Sequence, residues 1–189
     1  VSLVYSFLIK QYKNIDTYIP DRYTEGYGVS KAGIDYAADN GISLIIALDC
    51  GIKAIDKVAY AKQLGIDFII CDHHLPGDML PDAVAVLDPK RNDCAYPYKE
   101  LSGCGIGLKL VQALCKYRNL DDTEWKSLLD LTAVSIGADI VPVTGENRIL
   151  AFYGLKRINE KPRPGFRLLA ELAGKAGKNM SITDVVFMI

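Results

Sequence analysis

The sequence is poor in histidine and carries no excess of charge of either sign. Only two histidines occur among 189 residues, and they are adjacent, His73 and His74. The formal net charge is -1, from 22 basic and 23 acidic residues, so no global positive field draws the chain toward a nucleic acid or an anionic membrane. A local basic surface is left open. No Cys-x-x-Cys pair occurs among Cys50, Cys71, Cys94, Cys104 and Cys115, which removes thiolate-rich zinc spacing. Two of the five lie in or beside apolar runs, as buried thiols of a reducing cytoplasm do. Long apolar runs are missing too. Val1 to Ile9 is interrupted by Ser2 and Ser6 and closes at Lys10, too short for a membrane span and without the basic start of a signal peptide. There is no internal repeat and no initiator Met, and the apolar end Val185 to Ile189 reads as a cut within a longer protein.

Half of the residues are hydrophobic, enough for a substantial core holding one domain and part of another. Val1 to Tyr12 is apolar at helical spacing, and Ile15 to Ile19 alternates like a short strand. After the loop from Asp21 to Gly28, Ser30 caps a helix that Gly41 stops. Leu44 to Leu48 reads as a buried strand, Ile52 to Leu64 as a helix, Phe68 to Cys71 as a second buried strand and Ala83 to Leu87 as a third. Strands alternating with helices of this length imply a parallel α/β sheet, doubly wound, with helices on both faces. From Gly105 onward the pattern is helical: Ile106–Tyr117, Glu124–Ile136, Glu146–Asn159, Phe166–Leu172 and a start near Ser181. A boundary at the linker-like Pro162 to Gly165 gives residues 1–160 and 161–189 as the two parts.

The chemistry gathers at the strand ends. Asp49 and Asp72 are one strand-helix-strand unit apart, which puts both at the C-terminal edge of a parallel sheet, where such sheets bind ligands. Two carboxylates and an imidazole converging there call for a cation, and the donor types suit Mn²⁺ or a similar divalent ion. The competing reading is that these acids cap the following helices, most plausible for Asp49 beside Gly51. Asp139 sits at a turn between apolar segments. Ser102, Gly103 and Gly105 open a helix whose N-terminus is a site for phosphate, with Lys109 a turn later; read by themselves, such glycines are turn chemistry. Arg91 follows a strand end and reads either as a solvated turn or as a phosphate clamp. Arg22 and Tyr27 are loop residues able to hold backbone and stack a base.

Several separated motifs occur in one order: Leu48-Asp49-Cys50-Gly51, Cys71-Asp72-His73-His74, Leu87-Asp88-Pro89-Lys90-Arg91, Leu101-Ser102-Gly103-Cys104-Gly105, and Ile136-Gly137-Ala138-Asp139-Ile140-Val141-Pro142 followed by Asn147-Arg148. Together they resemble the DHH phosphoesterase superfamily, in its branch of RecJ-type single-strand exonucleases. The resemblance implies that Asp49, His73 and Asp139 are Mn²⁺ or Mg²⁺ ligands, that His74 faces the scissile phosphate and that Asp72 orients the pair. It implies single-stranded DNA as substrate, 5′ to 3′ hydrolysis in repair and recombination, and a cytoplasmic, monomeric intact protein. Its departure is at the front. The family's first strand ends in an Asp-x-Asp-Gly motif that supplies bridging carboxylates, and the sequence here starts after the place that motif would occupy. Two metals are therefore expected in an intact enzyme, one or none in these 189 residues, and little or no activity from them in isolation. Two other readings stand beside this one: a phosphodiesterase for short oligonucleotides or cyclic dinucleotides, and a degenerate nucleic-acid-binding scaffold whose metal site is lost.

Overall fold

The structure, a computed structural model, describes residues 1–188 and divides into two compact units, one of Val1 and Leu8–Lys99, the other of Ser2–Phe7 and the chain from Glu100 onward. In the first unit Ser30 takes an extended conformation and its Oγ accepts the backbone N–H of Gly33 at 2.9 Å, which starts α2 (Lys31–Asp39). Three parallel strands follow in the order β1-β2-β3: β1 (Leu44–Leu48), β2 (Asp67–Cys71) and β3 (Ala85–Leu87), with α3 (Ile55–Gln63) between the first two. Leu48 is in register with Cys71, and Cys71 with Leu87, so the three strands end level.

Ile34 and Ala37 of α2, Val58 and Ala61 of α3, and Ala47, Phe68 and Ile70 of the sheet form one buried cluster. Burying a side chain the size of Phe68 or Ile70 contributes about 1.5–3 kcal/mol, which fixes the helices on the sheet. The central strand β2 is the most deeply buried. β1 is only half-buried, with Leu44 exposed, against the expectation of a fully buried strand; among the described residues it has a neighbour on one side only. Ile15 to Ile19 is not a strand. Ile19 is 76% exposed, and the segment is instead tethered by side chains, with Tyr36 donating to Asp16 at 2.5 Å and Tyr18 to Glu25 at 2.8 Å.

The second unit is helical: α1 (Ser2–Leu8, all but its last residue), α4 (Gly103–Tyr117), α5 (Thr123–Lys126), α6 (Leu129–Ala138), α7 (Gly145–Glu160), α8 (Pro164–Leu172) and α9 (Ile182–Met188). The single helix expected over Glu124–Ile136 is broken at Ser127-Leu128. Ser127 Oγ donates to the carbonyl of Glu124 at 2.8 Å and closes the short α5, the local competition that serine offers a helix. α6 crosses α7 at Gly154, where an added Cβ would lie 2.2 Å from the carbonyl oxygen of Leu129. Ala133, Ile158, Ala170, Met180 and Val185 make the core around this crossing. The fully buried Asp130 is gripped by Arg163, Nε to Oδ2 at 2.6 Å and Nη2 to Oδ1 at 3.2 Å, where Pro164 begins α8.

Candidate metal centre

Because the strands end level, the next residue on each stands in one row along the sheet edge, and all three are aspartates: Asp49, Asp72 and Asp88. The ladder runs one step beyond the strands, with Asp49 N–H donating to Cys71 O at 2.8 Å and Asp72 N–H to Leu87 O at 3.0 Å. The chain then turns sharply after β1. Asp49 has φ 66°, a left-handed conformation that aspartate tolerates better than most residues but at a cost of order 1 kcal/mol. Gly51 follows at φ 107°, and a Cβ there would stand 3.3 Å from that of Ala47. This turn leaves the side chain of Asp49 52% exposed at the edge of the sheet.

Asp72 is the opposite case, with its side chain 1% exposed. Its Oδ2 accepts the N–H of Ile52 at 2.9 Å; its Oδ1 accepts the N–H of His73 at 2.8 Å and of His74 at 3.3 Å, and lies 2.6 Å from His74 Nδ1. Burial by itself would raise its pKa, but the bonds from the His74 side chain and the three backbone N–H groups outweigh burial and hold the carboxyl below its usual value. Asp72 therefore remains a carboxylate and orients what surrounds it. The helix expected from Ile52 starts three residues later, at Ile55.

His73 is buried and its Nε2 lies 3.1 Å from Asp49 Oδ1. With Nδ1 of His74 turned to Asp72, the Nε2 of that ring is left for the open side. The two imidazoles stand edge to face, centroids 4.6 Å apart. One ligand atom from each of Asp49, His73 and His74 falls within 4.8 Å of the others, so the three can close on a single ion. A carboxylate with two neutral imidazoles fits Mn²⁺ and similar divalent ions. The neighbouring thiols are not competing ligands: burial, with the charges of nearby aspartates, pushes Cys50 up to about 11 and Cys71 up to about 12.

The loop before α2 forms a rim. Glu25 accepts from Ser30 Oγ at 2.6 Å, from Tyr18 Oη at 2.8 Å and from the N–H of Asp21 at 2.9 Å, which sets its path. Tyr27, 66% exposed, presents its ring edge-on to His74 with centroids 6.3 Å apart, and the guanidinium of Arg22 lies 5.5 Å from the Tyr27 ring centre. The structure thus brings Arg22, Tyr27, Asp49, Asp72, His73 and His74 together.

Arg91 is turned to other work. It donates to Asp93 at 2.9 and 2.6 Å and to the carbonyl of Val86 at 2.5 Å, bracing the turn after β3. The other nominated residues belong to the second unit. Ser102 is fully buried and caps α4, accepting the N–H of Gly105 at 3.1 Å, while Gly103 and Gly105 are buried in the first turn of that helix. Lys109 is ion-paired with Glu146 and bonds Gln112 at 3.0 Å. Asp139 is the exposed C-cap of α6.

Asp88, quoted in the sequence only as part of the motif Leu87 to Arg91 and given no role there, carries the same signal as Asp49 and Asp72, an acid directly after an apolar strand. It is 2% exposed. Its Oδ1 accepts the N–H of Lys90 at 2.8 Å, its Oδ2 is buried with no hydrogen-bond partner, and burial raises its pKa, with the charge of Asp72 adding to the shift.

Comparison with known proteins agrees with this geometry. The single-stranded-DNA-specific exonuclease RecJ of Salmonella typhimurium is 40% identical over 186 residues, an alignment covering 93% of this chain and 32% of that protein. The protein of the same name from Bacillus subtilis is 43% identical over 173 residues, covering 92% of this chain and 21% of its own. The chain thus spans about a third or less of the length of these curated relatives. Among solved structures, an exonuclease RecJ bound to manganese superposes with a TM-score of 0.84 at 29% identity over 99% of this chain and 46% of that one. RecJ of Thermus thermophilus in complex with Mn²⁺ gives 0.76 at 25% identity, over 98% of this chain and 26% of its own. Residues 1–136 match the DHH family, N-terminal domain, and the chain belongs to that family.

Proposed function

We propose that the protein carrying this chain hydrolyses phosphodiester bonds of single-stranded DNA from the 5′ end, with Mn²⁺ or Mg²⁺ held by Asp49, His73 and Asp139. The observation that carries the proposal is the meeting of Asp49 and His73, Oδ1 to Nε2 at 3.1 Å, at the C-terminal edge of the parallel sheet, with His74 close enough beside them to reach a phosphate bound to the same ion. Relatives named as single-strand exonucleases and neighbours solved with manganese support the substrate and the ion. A bound divalent ion supplies charge neutralisation at the phosphoryl oxygens and makes water a better nucleophile. In this reading Asp72 stays ionised and fixes the His74 ring, so that Nε2 of His74 meets the scissile phosphate. Arg22 and Tyr27 hold the strand at the rim, and backbone phosphates meet the N-terminus of α4 that Ser102, Gly103 and Gly105 shape; Lys109 and Arg91, already paired with Glu146 and Asp93, add little to that hold. Residues 1–160 serve as the catalytic part and 161–189 as the start of a helical connection.

The product of the complete reading frame should release nucleotides from 5′-labelled single strands with Mn²⁺ and not in EDTA, while Asp49→Ala and His73→Ala lower the rate at least about a hundredfold. Turnover of cyclic dinucleotides in place of long strands would assign it to the other phosphodiesterase reading. Protons compete with the ion for the imidazoles, so activity should fall as the solution is acidified from about pH 8 to about pH 5, and the loss should shrink at higher Mn²⁺. A flat profile over that range would remove His73 from the ligand set. The same reading makes the protein a cytoplasmic monomer; among the described residues no helix is long and apolar enough to cross a membrane, and sedimentation of the purified protein checks the oligomeric state.

A further inference from the structure

The turn that carries Asp139 is held in a conformation it does not reach easily by itself. Asp139 caps α6, and Ile140 follows with φ 51°, a left-handed backbone that a β-branched residue takes only under constraint. Packing does not supply the constraint, because the Ile140 side chain is 83% exposed. Its own N–H makes a long bond to the Gly137 carbonyl, 3.3 Å. Pro142 has no N–H to give.

Asn147, fully buried in the first turn of α7, meets the turn from inside. Its Nδ2 donates to the Pro142 carbonyl at 3.0 Å and to the Glu100 carbonyl at 2.5 Å. Both acceptors are carbonyl oxygens, so only the NH₂ end of the amide can face them and its orientation follows from chemistry. Its Oδ1 is buried with no partner. An apolar side chain of that size would avoid this cost, so the two donated bonds are what the residue contributes. They tie the turn after Asp139 to the backbone just before Leu101-Ser102-Gly103, the entry to α4.

We infer that Asn147 is a positioning residue: by clamping these two backbone segments together it sets the place of the Asp139 carboxylate as a metal ligand. The inference rests on the reading of Asp139 as a ligand, and its test separates the two. Mn²⁺ binding is measured by calorimetry on the product of the complete reading frame, without nucleic acid, for wild type, Asp139→Asn, Asn147→Asp and Asn147→Ser. Asn147→Asp keeps the size of the side chain and replaces both donors with an acceptor facing carbonyls; Asn147→Ser is milder and keeps one donor.

Asp139→Asn and Asn147→Asp are each expected to weaken Mn²⁺ binding about tenfold or more, with Asn147→Ser between them and wild type. A residue that merely holds the fold would lower the metal-free melting temperature and leave the Mn²⁺ affinity of the folded protein unchanged. Affinity within about twofold of wild type in both Asn147 variants, beside a weakened Asp139→Asn, overturns the clamp and spares the ligand. Unchanged binding in Asp139→Asn removes the ligand reading and the clamp with it. Failure of both Asn147 variants to fold makes the residue structural and also overturns the inference.

Discussion

Asp72 and Asp88 end neighbouring strands and are both almost fully buried, yet their carboxyl groups are pushed in opposite directions. Burial acts on both, but Asp72 is met by three backbone N–H groups and an imidazole, whereas Asp88 has one N–H and the negative charge of Asp72 nearby. Hydrogen bonds to a charged acceptor contribute about 1.5–3 kcal/mol each and are not additive within one carboxylate, so Asp72→Asn should destabilise the chain by about 2–4 kcal/mol at pH 7. The sign with pH follows from the lowered pKa. The stabilisation by Asp72 is present above the unfolded carboxylate value near 3.8 and is lost as pH falls through the folded value. Urea unfolding of wild type and variant should therefore show a gap at pH 7 that narrows toward pH 3. An equal gap at both pH values would mean that the neutral side chain serves as well as the charged one. Asp88 runs the other way: its raised pKa makes ionisation unfavourable to the fold, so its contribution is greatest at low pH and is lost as pH rises through the folded value.

At the scale of elements, legibility in the sequence tracked local physics. β2 was legible because Phe68, Ile70 and Cys71 are apolar and buried, and α2 because Ser30 and Gly41 mark its ends. Ile15 to Ile19 has the alternation of a strand without a sheet to bury it, and alternation by itself does not make a ladder. The row of Asp49 and Asp72 was legible as strand ends, but the contact between Tyr27 and His74 was not, since it depends on a loop path set by Glu25 that no periodicity encodes. The α6–α7 crossing was equally hidden. Gly154 sits mid-helix, where alanine is ordinarily better by about 1 kcal/mol, so propensity predicts that Gly154→Ala stabilises. The structure predicts the reverse, because the new methyl would fall 2.2 Å from Leu129 O and 2.5 Å from the Cβ of Ala133, and neither helix can yield cheaply. Overpacking typically costs about 1–3 kcal/mol, and approaches this short to a backbone carbonyl and a Cβ put the cost at the upper end, which outweighs the propensity gain. Thermal unfolding of Gly154→Ala should show a melting temperature lower by several degrees; an unchanged or higher value would mean that the helices cross farther apart than here.

At the scale of the molecule, a formal net charge of -1 gives DNA no global attraction, so any electrostatic hold on a strand is local. Of the cations nominated for that work, Lys109 is paired with Glu146 and Arg91 with Asp93. Arg22 is different: it is exposed and lies over Tyr27, which itself leans on His74. Each phosphate neutralised on a single strand contributes about 0.7 to the slope of log affinity against log salt. Arg22→Ala should therefore lower that slope by about 0.7 for oligothymidylate bound in EDTA, where no cleavage intervenes, and weaken binding most at low salt. Lys109→Ala and Arg91→Ala should change the slope far less, because each removes a cation already neutralised within the protein. Tyr27→Leu, which keeps apolar bulk and removes the aromatic face, should weaken binding by about 1–3 kcal/mol with the slope unchanged, the signature of stacking as opposed to charge. A slope that drops with Lys109→Ala and not with Arg22→Ala would move the strand away from the rim of the histidine pair and onto the second unit.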